Sequence, residues 1–274
     1  MRVTLVLSGG GAKSLAHLGA WRALSEANLL PSHIVATSFG AVIGAALAAG
    51  QTPDQVLGAM RSLDGRGIAS LDPWVFVKGI FSRAILKPDG LRKVIERLVP
   101  VERFEDLKLP VTVTATDLDS GELVLFGCEV RGAGLIGLRE ALYASCALPL
   151  YFPPAVIDGR RLVDGGIRAV LPLEPAATIP ADLVVAVNVG PGFDDVLPSN
   201  LPPSSIPSLI RAHGESERIM MAAQTERMIA AWPASAPRLI VVRAVMEREA
   251  TFAVDRIARY IEAGYTETQC TLRK

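Results

Sequence analysis

The sequence has no excess charge of either sign. Lys and Arg number 28, and Asp and Glu also number 28, so the formal net charge is zero. A general nucleic-acid-binding protein carries a basic excess, and we therefore expect no nucleic-acid partner. Half of the 274 residues are hydrophobic, which excludes an intrinsically disordered chain. A chain of this length can bury a full core, and we expect a single domain over residues 1–274.

Cysteine is scarce, and its spacing excludes two kinds of site. The three cysteines, Cys128, Cys146 and Cys270, are odd in number and widely separated. This pattern fits neither a disulfide framework nor a zinc site, so we expect free thiols, no metal and no cofactor. Near the N-terminus, Arg2 is followed by only five apolar or near-apolar residues before a run of glycines, unlike a secretory signal. These features predict a cytoplasmic protein, and they leave open a peripheral position at a membrane.

The sequence also lacks a convincing membrane-spanning run. The longest uncharged stretch, residues 27–53, contains Pro31 and glycines at 40, 44 and 50. A spanning helix needs about 20 predominantly apolar residues. A short buried strand, a sharp turn and a buried helix explain the same residues better.

What the sequence does contain is an alternation of short apolar runs and helical patterns. This alternation predicts an α/β fold with a mainly parallel sheet covered by helices on both faces. The predicted strands cover residues 3–7, 33–36, 111–116, 123–126, 162–163, 183–189 and 238–242. Helices are predicted over residues 15–27, 39–49, 91–99, 138–146, 208–231 and 253–264, with another starting near 53. The proline-rich residues 191–207 show no periodicity and predict a surface loop.

A run of glycines follows the first predicted strand, and residues 9–14 read Gly-Gly-Gly-Ala-Lys-Ser. A P-loop requires glycine where this chain has Ala12, and a dinucleotide fingerprint requires a third glycine where it has Ser14. An oxyanion hole needs only two or three free backbone amides beside the reacting group. A tight turn that binds nothing is equally compatible, so this motif alone leaves the function open.

Ser38 stands between a predicted strand and a predicted helix, in the stretch Ala36-Thr37-Ser38-Phe39-Gly40. A nucleophile elbow has the form G-x-S-x-G in this same context, because small residues let the strand and helix approach each other. Gly40 fits this form, and Ala36 departs from it by one methyl group. A serine that only caps the helix is an equal alternative.

A serine nucleophile needs a base within hydrogen-bonding reach. The three histidines, His17, His33 and His213, lie inside a predicted helix, at a strand start and in a late helix, away from the turns where a catalytic histidine is expected. Asp164 is the better candidate, since it ends an apolar strand and precedes Gly165 and Gly166. A free aspartate has a pKa near ~3.9, which makes it a weak base at neutral pH. An ordinary Asp-Gly turn is the alternative.

In their order and context, these three stretches resemble the patatin-like phospholipase family. That family has a G-G-G-x-[RK]-G loop, then G-x-S-x-G, then D-G-[GA] much later. Further similar stretches are Ala16–Gly19, Ala144–Pro149, Phe152–Pro154 and Asp158–Gly159, and the resemblance covers roughly residues 3–190.

The resemblance implies a three-layer α/β/α sandwich and the hydrolysis of lipid acyl esters through an acyl-enzyme intermediate. It implies Ser38 as nucleophile and Asp164 as its partner in a dyad. It also implies an oxyanion hole at Gly9, Gly10, Gly11 and Ala12, with Ala36, Gly40, Gly165 and Gly166 as the remaining motif residues. The expected partner is a lipid or acyl ester, with transient contact to a membrane surface.

Two departures from the family motifs support an alternative function. Ser14 replaces the last glycine of the loop, and Ala36 replaces the first glycine of the elbow. The alternative is a catalytically weakened or inactive protein of this fold that binds a lipid or a protein partner. Residues 72–86, with Trp74, Phe76 and Phe81, are interpreted either as a flap that contacts the acyl chain or as part of the core.

Overall fold

The structure is a computed structural model that describes residues 1–63, 84–127, 136–196, 208–248 and 256–273. The predicted flap with Trp74, Phe76 and Phe81 lies outside the described residues, apart from its last three positions. Cys128 and most of the proline-rich stretch, residues 197–207, also lie outside them.

Eight strands of the described residues form one sheet, in the order β5-β6-β3-β2-β1-β7-β8, with β4 paired to β3. The central strands run parallel, and β4, β5 and β6 pair antiparallel at one side. The strands are β1 (Val3–Leu7), β2 (His33–Thr37), β3 (Val111–Asp117), β4 (Leu123–Phe126), β5 (Ala155–Ile157), β6 (Arg160–Asp164), β7 (Leu183–Asn188) and β8 (Arg238–Arg243).

Helices cover both faces of the sheet. They are α1 (Ala16–Glu26), α2 (Ser38–Ala48), α3 (Pro53–Arg61), α4 (Pro88–Leu98), α5 (Leu138–Cys146), α6 (Gly166–Ala169), α7 (Leu173–Ala176), α8 (Ser208–Ala230) and α9 (Ile257–Leu272). Short 3₁₀ helices run over Gly11–Leu15 and Phe104–Asp106. Along the described chain, no helix is both long enough and apolar enough to cross a bilayer.

Two apolar cores lie on opposite faces of the sheet, because successive side chains of a strand point to opposite sides. Leu5 of β1 and Val185 of β7 pack in the larger core, which includes residues of α1 to α5 and α9. Val6 and Val184 pack in the smaller core, beside α7 and the end of α8. The central strands are buried on both faces, as continuous apolar runs predict. The three layers confirm the predicted fold class.

β3 aligns the ends of two other strands. β2 runs parallel to it and ends with Thr37 opposite Thr114. β6 runs antiparallel to it and ends with Asp164 opposite Ala115, the next residue. β2 and β6 therefore run toward each other along β3, and the residues at their carboxyl ends meet.

Several elements differ from the sequence prediction, among them the short helices α6 and α7, which were not predicted. Residues 155–157 form β5, a strand that the sequence pattern did not predict, and a turn with positive φ at Asp158 and Gly159 joins it to β6. The last helix continues past its predicted end at Gly264 to Leu272. A Cβ on Gly264 would lie 2.0 Å from the Ala16 carbonyl oxygen of α1, so this glycine serves close helix packing.

Candidate active site

Ser38 occupies a strained turn between β2 and α2. Its φ of 55° lies in the left-handed region, which costs a non-glycine residue on the order of 1–2 kcal/mol. The Ser38 amide donates to Ser145 Oγ at 2.7 Å. A Cβ on Gly40 would lie 2.2 Å from the Ser8 carbonyl oxygen, so glycine is required where α2 passes the end of β1.

The structure accommodates Ala36, which replaces the first glycine of the family motif. Its side chain is fully buried, and its Cβ lies 3.7 Å from the position that a Cβ on Gly44 would take. A Cβ on Gly44 would also lie 3.1 Å from Ile34 Cγ2, so Gly44 allows α2 to pack closely on β2. Even a Cβ at Gly44 would meet the Ala36 methyl group at an ordinary van der Waals distance, so this methyl group is not crowded by α2.

Asp164 lies at the end of β6, and its carboxylate has two hydrogen bonds. Ser38 Oγ donates to Asp164 Oδ2 at 2.6 Å, and the Gly166 amide donates to Oδ1 at 2.7 Å. A Cβ on Gly165 would lie 2.5 Å from the Thr114 carbonyl oxygen, so a larger residue cannot follow Asp164 without moving β3. The structure thus brings together the two residues that the sequence proposes as a dyad.

Burial changes the basicity of Asp164, whose exposed fraction is 4%. Burial raises the pKa of this carboxyl to about 7, although the hydrogen bonds from Ser38 and the Gly166 amide lower it. A proton acceptor works best when its pKa is near the working pH. The objection that an aspartate is too acidic to act as a base at neutral pH therefore does not apply at this position.

The glycine loop runs directly beside Ser38, since a Cβ on Gly9 would lie 3.0 Å from Ser38 Cβ. The Gly9 amide donates to the Val170 carbonyl oxygen at 3.0 Å and is therefore engaged within the protein. The amides of Gly10, Gly11 and Ala12 have no acceptor among the described residues, as expected at the start of a helical turn. Gly11 has φ 57°, which glycine adopts without strain.

Lys13 of this loop is buried and directed toward acidic groups. Its Nζ lies 4.0 Å from Asp195 Oδ2, and Asp195 also accepts from Arg243 Nη2 at 2.7 Å. Burial lowers the pKa of Lys13, while the charge of Asp195 raises it. A P-loop lysine contacts phosphates, and this ion pair gives Lys13 a structural role. Ser14 lies in the 3₁₀ helix, where the backbone does not require glycine.

The histidines have other partners. His17 Nε2 lies 2.9 Å from the Ser8 carbonyl oxygen, so this nitrogen carries the proton, and burial lowers the pKa of His17 to about 4. His33 Nε2 lies 2.9 Å from Thr112 Oγ1 at the far end of β2. His213 Nε2 lies 3.2 Å from Glu217 Oε1 on α8.

Three further residues at the site were not assigned a role from the sequence. Ser145 Oγ accepts from the Ser38 amide, and the next residue, Cys146, carries a buried thiol. Burial raises the pKa of Cys146 well above its usual value. The charge of Glu217 on α8 raises the pKa of Asp164 further. Ser145 and Cys146 belong to a stretch that resembles the family. This resemblance is the signal by which the sequence could have placed them at the site.

α8 packs through one of its faces beside Asp164 and the helix that follows it. Met221 Cε lies 3.8 Å from the position of a Cβ on Gly166, and Gln224 Nε2 donates to the Arg168 carbonyl oxygen of α6. Glu217 lies one helical turn before Met221 and is buried. The contacts of Met221 and Gln224 fix this face of α8 against the helix that follows Asp164.

The fold and the site define an α/β protein in which a serine at a strained strand–helix turn is hydrogen-bonded to a buried aspartate, beside a glycine loop. A sequence profile described as patatin-like phospholipase matches residues 5–177, and the chain belongs to this family. An uncharacterized NTE family protein of Mycobacterium tuberculosis is 38% identical over 189 residues, which cover 69% of this chain and 49% of that protein. The present chain therefore spans about half the length of that relative.

Two other proteins extend the comparison. Lysophospholipase NTE1 of Mycosarcoma maydis is 30% identical over 200 residues, which cover 72% of this chain and 10% of the relative. The crystal structure of VipD from Legionella pneumophila has a TM-score of 0.52 at 16% identity, with 99% of this chain and 66% of that chain covered. The likeness to VipD concerns the fold alone.

Proposed function

We propose that this protein is a lipid acyl hydrolase that cleaves carboxylic esters of phospholipids, lysophospholipids or simpler lipids through Ser38 and Asp164. The observation that carries this proposal is the 2.6 Å hydrogen bond from Ser38 Oγ to the buried Asp164 carboxylate. A hydroxyl whose proton already points to a basic acceptor is prepared to attack a carbonyl carbon. Family membership supports lipid hydrolysis in general.

In the first step, Ser38 Oγ attacks the ester carbonyl carbon while its proton passes to Asp164 Oδ2. The carbonyl π electrons move to the oxygen, which becomes an oxyanion. The amides of Gly10, Gly11 and Ala12 are the proposed donors to this oxyanion, and one such donor is typically worth about 3–4 kcal/mol of transition-state stabilisation. Gly9 contributes space beside Ser38, since its own amide is bonded to Val170.

In the second step, the tetrahedral intermediate expels the alcohol, which takes the proton from Asp164. This leaves the acyl group on Ser38 Oγ. A water molecule then attacks the acyl-enzyme and transfers a proton to Asp164, and the fatty acid leaves as Ser38 regains its proton. Asp164 therefore alternates between base and acid, which a pKa of about 7 permits near neutral pH.

A lipid substrate also requires apolar contact near the site. Leu209 and Met220 of α8 are large apolar side chains with exposed fractions of 79% and 63%. α8 is the helix that packs beside the dyad through Met221. We infer that these exposed side chains make transient contact with a lipid surface, while the neutral chain adds no bulk electrostatic attraction.

The alternative of an inactive binding protein receives no support from the two departures that suggested it. The methyl group of Ala36 is accommodated opposite Gly44. Ser14 lies in a helical turn that does not require glycine.

The test is labelling with a fluorophosphonate, which reacts with activated serines, together with hydrolysis of esters of graded acyl length. The wild-type protein is expected to be labelled and active, and Ser38→Ala is expected to lose both properties. Ser62→Ala, which changes an exposed serine at the end of α3, is the matched control and should retain both. Labelling that survives Ser38→Ala would contradict the assignment, and a wild type with neither property would favour a binding protein.

A further inference from the structure

The short segment 145–147, at the carboxyl end of α5, contacts both halves of the Ser38–Asp164 pair. The Ser38 amide donates to Ser145 Oγ at 2.7 Å. The Asp164 amide donates to the Ala147 carbonyl oxygen at 3.0 Å, and the Gly165 amide donates to the Ser145 carbonyl oxygen at 3.4 Å. One segment thus binds the backbone of both strand ends where they meet.

The contact with Ser38 differs from the other two because a side chain, the Ser145 hydroxyl, makes it. Ser38 has φ 55°, a conformation that non-glycine residues keep only where their surroundings impose it. Ser145 is fully buried, so water does not compete for its hydroxyl group. A buried amide that loses its acceptor is costly, on the order of 1–3 kcal/mol. The Ser145 hydroxyl therefore favours the one backbone orientation that satisfies the Ser38 amide.

We propose that Ser145 is a positioning residue for the reaction: its hydroxyl holds the Ser38 backbone so that Ser38 Oγ points between Asp164 and the ester carbonyl carbon. Ser145 contacts neither the substrate nor the transferred proton. It acts through its hydrogen bond with the Ser38 amide. It also removes that amide from the set of oxyanion donors, which leaves this role to the amides of Gly10, Gly11 and Ala12.

This inference rests on the proposed function, and it predicts a specific kinetic change. In Ser145→Ala the Ser38 turn relaxes, and a shift of about 1 Å at a nucleophile can reduce the rate by about 100-fold. We expect kcat to fall by about 10- to 100-fold while KM changes by less than about threefold, because substrate binding does not depend on this hydroxyl. Ser145→Thr keeps the acceptor oxygen and is expected to recover most of kcat.

The pH profile separates positioning from damage to the site. In Ser145→Ala, Asp164 stays buried and keeps its bond from the Gly166 amide, while a weaker bond from the displaced Ser38 hydroxyl would raise its pKa. The midpoint of the profile should therefore stay at the wild-type value or move to higher pH. Damage that admits water would lower the pKa of Asp164 and shift the midpoint to lower pH.

Tyr143→Phe is the matched control, since it removes another partly buried hydrogen bond of α5, from Tyr143 Oη to the Pro153 carbonyl oxygen at 2.9 Å. It should destabilise the protein to a similar extent and leave kcat unchanged.

Three results would each overturn the positioning role: a kcat of Ser145→Ala within about twofold of wild type, a pH midpoint displaced to lower pH, or a folded Ser145→Thr as slow as Ser145→Ala. Thermal unfolding of each variant shows whether it is folded. Failure of the proposed function is distinguishable, because in that case the wild type itself would be neither labelled nor active.

Discussion

Ser38 and Asp164 are 126 positions apart in the chain, and a 2.6 Å hydrogen bond joins their side chains. They meet because β2, which ends just before Ser38, and β6, which ends at Asp164, run toward each other along β3. Two consecutive residues of β3 pair with the last residues of β2 and β6. The distance between the Ser38 and Asp164 side chains is therefore set by the geometry of β3. A site built in this way on regular strands is more rigid than one built on loops.

The first prediction concerns Asp164→Asn. The amide has the shape of the carboxylate and can still accept from the Gly166 amide, but it cannot take the proton of Ser38. We expect kcat to fall by about 100- to 10,000-fold, the usual contribution of a general base, without loss of folding. Steady-state kinetics and thermal unfolding measure both effects. Full activity in this variant would show that another residue is the base.

The second prediction is the pH dependence of the reaction. Asp164 must be ionised to accept the proton of Ser38, and burial raises its pKa to about 7. We expect kcat/KM to rise with pH through about 7, and to be about 100-fold lower at pH 5 than on the plateau above pH 8. Near-UV circular dichroism at each pH controls for unfolding. A rate that is constant from pH 5 to 8 would contradict the assignment of Asp164.

The third prediction concerns Gly9→Ala. The added Cβ would stand 3.0 Å from Ser38 Cβ, so the glycine loop must move away from the nucleophile. We expect kcat to fall by about 10- to 100-fold in a protein that still folds. Gly58→Ala in α3 is the matched control, because a Cβ there meets nothing within 4 Å. That control should keep its activity and gain about 0.5–1 kcal/mol in the free energy of unfolding. Equal activity in Gly9→Ala and Gly58→Ala would show that the glycine loop is not part of the active site.

The fourth prediction concerns stability and His17. Burial lowers the pKa of His17 to about 4, against 6.5 for an ordinary histidine. Below pH 6.5 the unfolded chain therefore binds the extra proton first, so stability is present above this pH and is lost as the pH falls toward 4. The loss between pH 7.5 and pH 4.5 should be about 2–3 kcal/mol larger in wild type than in His17→Gln. Urea denaturation at both values measures it, and equal losses in the two proteins would refute the shift.

The fifth prediction concerns Ala36→Gly, which restores the glycine of the family motif. If the methyl group obstructed the turn, activity would rise. Its accommodation opposite Gly44 predicts instead that kcat stays within about twofold of wild type. The free energy of unfolding should fall by about 1 kcal/mol or more, because a buried methyl group is lost and glycine weakens a strand. Parallel kinetic and denaturation measurements separate the two expectations.

Much of the fold could be predicted because its local signals are strong. The capping box at Thr52 and Gln55 forms where Thr-Pro-Asp-Gln predicts a helix start. The helix over residues 138–146 has the predicted bounds. The predicted end of α9 at Gly264 was wrong. In the sequence, a glycine that allows close helix packing looks the same as a glycine that ends a helix. The antiparallel strand β5 has three residues and lacks a periodic pattern of its own.

The sequence by itself determined the alternation of strands and helices, the glycine loop after β1, and the candidates Ser38 and Asp164, because these depend on local residue types and their order. The tertiary structure alone decided that the two side chains meet, that burial raises the pKa of Asp164 to about 7, and that the Gly9 amide is engaged by Val170. It also decided that Ser145 accepts the Ser38 amide. Each of these depends on strand register and burial between distant parts of the chain, and no local pattern of residues encodes them.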